Sequence, residues 1–181
     1  MKFRTWMAGV AALSLGACAT QRADEPDMDL PSPAGASADV RDPTGRTLAR
    51  ATAEETSGGV RIRVEAAGLV QGAYGVHVHT TGRCDPPDFT SAGPHWNPTG
   101  RQHGTENPAG THKGDLPNLL VGTDGSGSIE FTIPDVSIAG RGPDAMLDAD
   151  GAAVVVHQGA DDYRTDPSGN SGARIGCGVL G

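Results

Sequence analysis

Six histidines occur in the 181 residues, and their placement is the chemistry the chain offers most plainly. The segment GVHVH, residues 75–79, sets His77 and His79 one residue apart. In a strand those two imidazoles leave the same face, while Val76 and Val78 face the other way. A third, His157, ends the apolar run AAVVVH, which a neighbouring strand can bring alongside. His95, His103 and His112 are spread through a Gly- and Pro-containing stretch and are followed by Asp115 in HKGD. Spacings of eight and nine residues interrupted by Gly and Pro suit a loop folded around an ion, not a helix face. Imidazole nitrogens favour zinc and copper, and a carboxylate is an acceptable fourth zinc ligand. A lone histidine on a β face is ordinarily a polar surface residue, but five between residues 77 and 112 need another explanation.

The elements that would hold these residues are short and alternate in character. RTLARATAE, GVRIRVEA, AYGVHVH, NLLVGT, GSIEFTI, AAVVVH and ARIGCGVL are separated by clusters of Gly, Pro, Asp and Asn. In GVRIRVEA, Val60, Ile62 and Val64 share one face and Arg61, Arg63 and Glu65 the other, the pattern of a half-buried strand. No segment of useful length keeps an apolar period of 3.6 residues. The pattern predicts an all-β domain, a sandwich or barrel, with two long irregular stretches at residues 80–118 and 158–172. Connections of that length inside a compact domain are usually functional.

The ends of the chain carry separate information. MKFRTWMAGVAALSLGAC opens with basic residues and a short apolar run, the layout of a secretory signal peptide over residues 1–17. Leu15-Gly16-Ala17-Cys18 resembles a bacterial lipobox, which predicts a lipid anchor at Cys18 and a membrane as partner; ordinary cleavage beside an incidental Cys18 is the plainer alternative. Residues 18–38 mix Pro, Ser, Ala and acids without an apolar period and read as a disordered tether, leaving 39–181 as the domain. With Cys18 given to lipid, Cys84 and Cys177 are the remaining thiols, and an oxidising compartment would pair them. The formal charge is -8, and removing Lys2 and Arg4 with the leader takes 14 basic side chains to 12 against 22 acidic ones. That balance argues against a nucleic-acid partner.

The segments GVHVH, SAGPHWNP, RQHG, HKGDLPN, VVHQGADD and GNSGARIGCGVLG, in this order and with these gaps, resemble the signature of the copper/zinc superoxide dismutases. The similarity runs from about Asp39 to Gly181. It implies an eight-stranded Greek-key β-barrel or sandwich that dismutes superoxide, with copper and zinc as cofactors. By residue, it implies copper at His77, His79, His95 and His157, and zinc at His95, His103, His112 and Asp115, with His95 shared between them. It implies a catalytic role for Arg174 beside the copper and for His95 as the bridge. Asp161 would link a copper ligand, His77, to a zinc ligand, His103, and Cys84–Cys177 would be the disulfide tying the metal loop to the last strand. Trp96 reads as packing. Relatives pair their barrels in different ways, so a homodimer stays open, and export to the bacterial cell envelope or periplasm is the implied location.

One departure stands out. Residues 158–173 hold Asp161, Asp162 and Asp166 but a single base ahead of Arg174, Arg164, where relatives use lysines to draw in the anion. Weak long-range steering is therefore expected, unless Lys113 or the arginines of GVRIRVEA compensate. Two other functions fit parts of the pattern. A copper and zinc buffer or copper-delivery lipoprotein would need the ligands but not Arg174, and an inert β spacer would bind no metal.

Overall fold

The computed structural model describes residues 1, 35–139, 142 and 144–181. The expected leader, the lipid site Cys18 and most of the tether lie outside them. Nine strands are present among the described residues, with no α-helix. They are β1 Gly35–Arg41, β2 Thr47–Thr56, β3 Gly59–Ala66, β4 Gly72–Tyr74, β5 Val76–His79, β6 Leu119–Val121, β7 Ser128–Pro134, β8 Ala153–His157 and β9 Arg174–Val179.

Seven strands form one antiparallel sheet in the order β5-β8-β9-β1-β2-β3-β7, and β4 pairs with β6. Non-consecutive neighbours such as β9–β1 and β3–β7 give the Greek-key order. The expected eight strands become nine because the chain between Gly72 and His79 breaks at Gly75, handing one stretch of backbone from the β4–β6 pair to the sheet. Gly75 is a seam: its N–H donates to Gly159 O and its carbonyl accepts from His157 N, and a Cβ there would come 2.9 Å from Ser171 Cβ.

The core follows the alternation. Val60, Ile62 and Val64 of β3 are buried with Ala49, Ala51 and Ala53 of β2 and Val76 and Val78 of β5. Burying one Val or Ile side chain stabilises by roughly 1.5–3 kcal/mol, so this face sets the register. β8 is buried on both faces, which is why AAVVVH reads as a continuous apolar run: Val154 and Val156 join the main core, while Ala153 and Val155 pack beneath Phe89, Ala92 and Cys177. His77, His79 and His157 stand on the faces opposite the main core.

Two differences from the sequence expectation stand out. β1 begins at Gly35, so residues 35–38, assigned to the tether, belong to a strand; its alternating inward residues are Ala36, Ala38 and Val40, too small to stand out in a hydropathy pattern. Two irregular stretches lie where expected, between β5 and β6 and between β8 and β9, the first interrupted only by a 3-10 turn at Thr90–Ala92. The connection from β7 to β8 is a third.

Candidate metal centre

The loop after β5 turns back and fastens to the edge of that strand. Trp96 N donates to Val78 O at 2.8 Å, Val78 N to Gly114 O at 2.9 Å and Leu116 N to Val76 O at 3.3 Å. These bonds place His95 opposite His79 and Asp115 opposite His77. Antiparallel pairing with β8 sets His77 against Val155, and β8 ends at His157, whose partner on β9 is Arg174. Strand geometry alone thus gathers His77, His79 and His157, and the docked loop brings in His95. Trp96 is buried in the main core.

His77, His79, His95 and His157 are buried, and their donor atoms lie within 4.8 Å of one another. One nitrogen of each ring is tied elsewhere. His79 Nδ1 donates to Gly93 O at 2.8 Å, His157 Nδ1 to Gly172 O at 3.2 Å, His77 Nε2 to Asp161 Oδ2 at 2.8 Å and His95 Nδ1 to Asp115 Oδ1 at 2.9 Å. A carbonyl only accepts, so the first two bonds fix the tautomer and leave a lone pair on Nε2. The opposite nitrogens, His77 Nδ1, His79 Nε2, His95 Nε2 and His157 Nε2, are buried without a hydrogen-bond partner. Four orphaned nitrogens converging in one place would be costly unless something accepts their lone pairs. Burial holds these rings neutral: His77 is lowered to about 3 and His157 to about 4, and His79 and His95 are also lowered, with neighbouring imidazoles adding repulsion. Four neutral imidazoles suit a copper ion.

The second group is built from the loop. Asp115 Oδ1 receives His95 Nδ1 at 2.9 Å, His103 Nδ1 at 3.0 Å and His112 Nδ1 at 3.2 Å. A tetrahedral zinc with ligands about 2.0–2.1 Å away has ligand–ligand edges of about 3.3–3.4 Å, close to these separations. Mutual distance alone groups His77, His95, His103 and Asp115. We favour His112 over His77 as the fourth donor, because His112 Nδ1 points at the carboxylate while His77 Nε2 is taken by Asp161. Asp115 is held by Gly104 N, Thr111 Oγ1 and His112 N on its other oxygen. Burial opposes its charge, but the bonds from His103, His112 and His95 overcome it and hold the carboxyl far below the usual range. His103 shows the same contest: burial would lower it, yet hydrogen bonds to Asp115 and Asp161 raise it to about 9.

Asp161 joins the two groups, with Oδ2 on His77 Nε2 and Oδ1 on His103 Nε2 at 3.0 Å. Sequence reasoning assigned no role to several residues that support it. Asn118, the last residue of HKGDLPN, accepts from Asp161 N at 2.8 Å and donates to Asp161 O at 2.9 Å. Asp166 accepts from His103 N at 2.6 Å. Gly169, at φ 64, leaves no room for a side chain: a Cβ would overlap the Asp161 carboxylate and sit 2.7 Å from His103 Nε2. Only the Gly-Asn pair in GNSG hinted at a turn there. Asp162 closes the solvent-facing turn through Thr165 and Asn170.

Arg174 lies beside this group, Nη1 donating to Phe89 O and Nη2 to Gly93 O, both at 2.7 Å. Cys84 and Cys177 form the disulfide, with Cα atoms 5.6 Å apart. The lone base of the rim and the cations that were to compensate for weak steering all have protein partners. Arg164 pairs with Glu106, Lys113 donates to Pro134 O, and Arg61 and Arg63 pair with Glu54, Glu65 and Glu130.

Residues 46–180 match the family model for copper/zinc superoxide dismutase (SODC). "Superoxide dismutase [Cu-Zn] 1" of Aquifex aeolicus is 40% identical over 144 residues, 79% of this chain and 85% of that protein. "Superoxide dismutase-like protein YojM" of Bacillus subtilis is 48% identical over 128 residues, 70% of this chain and 65% of that protein. Among solved structures, a double mutant of a SOD-like protein from Bacillus subtilis, with a tyrosine and a proline each changed to histidine, superposes with a TM-score of 0.75 at 42% identity, covering 80% of this chain and 95% of that one. With two adjoining donor groups in the fold of these relatives, the chain belongs to the copper/zinc superoxide dismutase family.

Proposed function

We propose that the protein dismutes superoxide, with copper held by His77, His79, His95 and His157, and zinc by His95, His103, His112 and Asp115. The observation that carries this is the convergence of four buried, partnerless imidazole nitrogens beside a fixed guanidinium. The chemistry that bound copper supplies is one-electron exchange: one superoxide gives up its electron and leaves as dioxygen, and a second receives it and leaves with two protons as hydrogen peroxide. Four protein ligands on the other side leave no open position, so zinc there would be structural.

The chain's own groups do the rest. Arg174 offers N–H donors to an incoming anion, and its two carbonyl anchors keep it facing the imidazoles. His95 presents Nδ1 to one group and Nε2 to the other, so with both nitrogens deprotonated it would be able to hold an ion on each side, and Nε2 is the atom that would carry a proton when it holds none. Asp161 holds His77 and His103 in fixed orientations. A copper buffer would require neither Arg174 nor the Asp115 group.

Metal analysis and superoxide consumption by the protein loaded with copper and zinc test this reading. One equivalent of each metal and rapid consumption are expected; tight metal binding without consumption would favour the buffer. Arg174→Ala should lower turnover about 10-fold or more at low salt, and unchanged turnover would remove its role.

The proposed setting is the bacterial envelope, with a leader over 1–17, lipid on Cys18 and a tether running to the start of β1. The Cys84–Cys177 disulfide supports an oxidising compartment. The mass of the N-terminal peptide tests the lipid. For a homodimer the supporting feature is the exposure of Val70 and Leu120 beside and on the β4–β6 pair, and sedimentation gives the assembly mass.

A further inference from the structure

Arg174 is oriented by two carbonyls of one short segment, Phe89 O and Gly93 O. Gly93 O also receives His79 Nδ1, so its place is shared with an imidazole of the four-ring group. Phe89 has no such partner. Its carbonyl receives Ala92 N at 3.1 Å and Arg174 Nη1 at 2.7 Å, and its N–H donates to Asp85 O at 3.1 Å. Its backbone is left-handed, φ 55 and ψ 24, a conformation that favours Gly or Asn and that a bulky residue rarely adopts. The ring explains why a large side chain stands there. It is buried with Ala92, Ala153, Val155 and Cys177 in a cluster apart from the main core, against Cys84 of the disulfide.

We propose that Phe89 is a positioning residue for the anion site: its ring, locked into the pocket over β8 and the disulfide, fixes the carbonyl that holds Arg174 and so sets the affinity for small anions. This rests on the reading of Arg174 as the anion receptor. Truncating the ring opens a cavity under a strained backbone, which then relaxes and turns the carbonyl away. Of the five guanidinium N–H groups, those left free by the two carbonyls are the ones an anion meets, so loss of one anchor misplaces them all.

The test uses Phe89→Leu, Phe89→Val and Phe89→Ala in the full chain. Azide titrated against the visible absorption of the copper- and zinc-loaded protein reads anion affinity, and the 15N signal of the Arg174 side chain in metal-free protein reads the anchor itself. The azide Kd should rise from Leu to Val to Ala, reaching roughly 5–10-fold, with both metals retained. Phe89→Ala added to Arg174→Ala should weaken azide no further than Arg174→Ala alone. A flat Kd across every variant that keeps both metals, or additive effects in the double variant, overturns the proposal. If Phe89→Ala takes up no metal, the Leu and Val variants decide by the same criteria. Wild-type protein that binds no copper would sink the functional reading instead, and the Arg174 signal would still decide this one. A slowly rotating guanidinium in wild type that becomes averaged in Phe89→Ala supports it; identical signals overturn it.

Discussion

The two donor groups share His95 yet are built on opposite plans. The four-imidazole side takes three of its rings from strands and fixes two of them with backbone carbonyls, leaving lone pairs on neutral nitrogens. The Asp115 side takes all its donors from a loop and gathers them on one carboxylate, Asp115, which together with Asp161 favours the protonated ring of His103 until a metal replaces the proton. A strand-borne site is positioned by the fold; a loop-borne site is positioned by charge. The difference predicts that the second side should fail first whenever charge is removed.

The sharpest break is Asp115→Ala. It removes the oxygen on which three imidazoles converge and the acceptor for Gly104 N and Thr111 Oγ1. Zinc content should fall from one equivalent to near zero after dialysis while copper is retained, read by elemental analysis. Equal loss of both metals would show that the strands do not hold their side alone. Asp161→Asn is next. An amide can accept from one of His77 Nε2 and His103 Nε2 but turns an N–H toward the other. His77 is held by β5, so His103 should yield: zinc affinity falls about 10–100-fold and copper affinity much less. Retention of full zinc after dialysis would count against this ordering.

Acidity separates the two sides in the metal-free protein. His77 and His157 have folded values lowered to about 3 and about 4, below the ordinary 6.5. Their contribution is present above pH 6.5 and is lost as pH falls toward those values. His103, raised to about 9, contributes fully below pH 6.5 and loses its contribution as pH rises through 9. Displacements of this size are worth roughly 3–5 kcal/mol per group. Metal-free protein should therefore be most stable near pH 6.5, with urea midpoints falling on both sides. His103→Gln should flatten the alkaline limb alone; a limb that persists in that variant would assign it to another group.

The strand-borne half was more legible in the sequence than the loop-borne half. GVHVH and AAVVVH declare their faces through a period of two, so the convergence of His77, His79 and His157 follows from pairing β5 with β8. Spacing in the loop told only that His95, His103, His112 and Asp115 could fold around something; which backbone carbonyls and amides hold them depends on contacts such as Trp96 N to Val78 O that no local pattern encodes. Asn118 and Gly169 escaped notice for the same reason, since both act on the backbone or carboxylate of Asp161, 43 and 8 residues away along the chain. β1 was missed because alanines fill its inward positions.

The smallest effect belongs to the ion pair that joins the same two loops at the surface. Arg164 meets Glu106 with side chains 71% and 50% exposed, so water and salt screen the attraction and two long side chains lose rotamer freedom to make it. Arg164→Gln should cost under about 1 kcal/mol of stability and leave zinc affinity unchanged at 0.15 M salt, in contrast to the buried carboxylates Asp115 and Asp161. The superoxide rate should also change little, because this base is already neutralised by Glu106 and contributes little field at the rim. A several-fold loss of zinc affinity would mean that the loop is held from outside as well as by Asp115 and Asp161, and would weaken the contrast between the two halves of the centre.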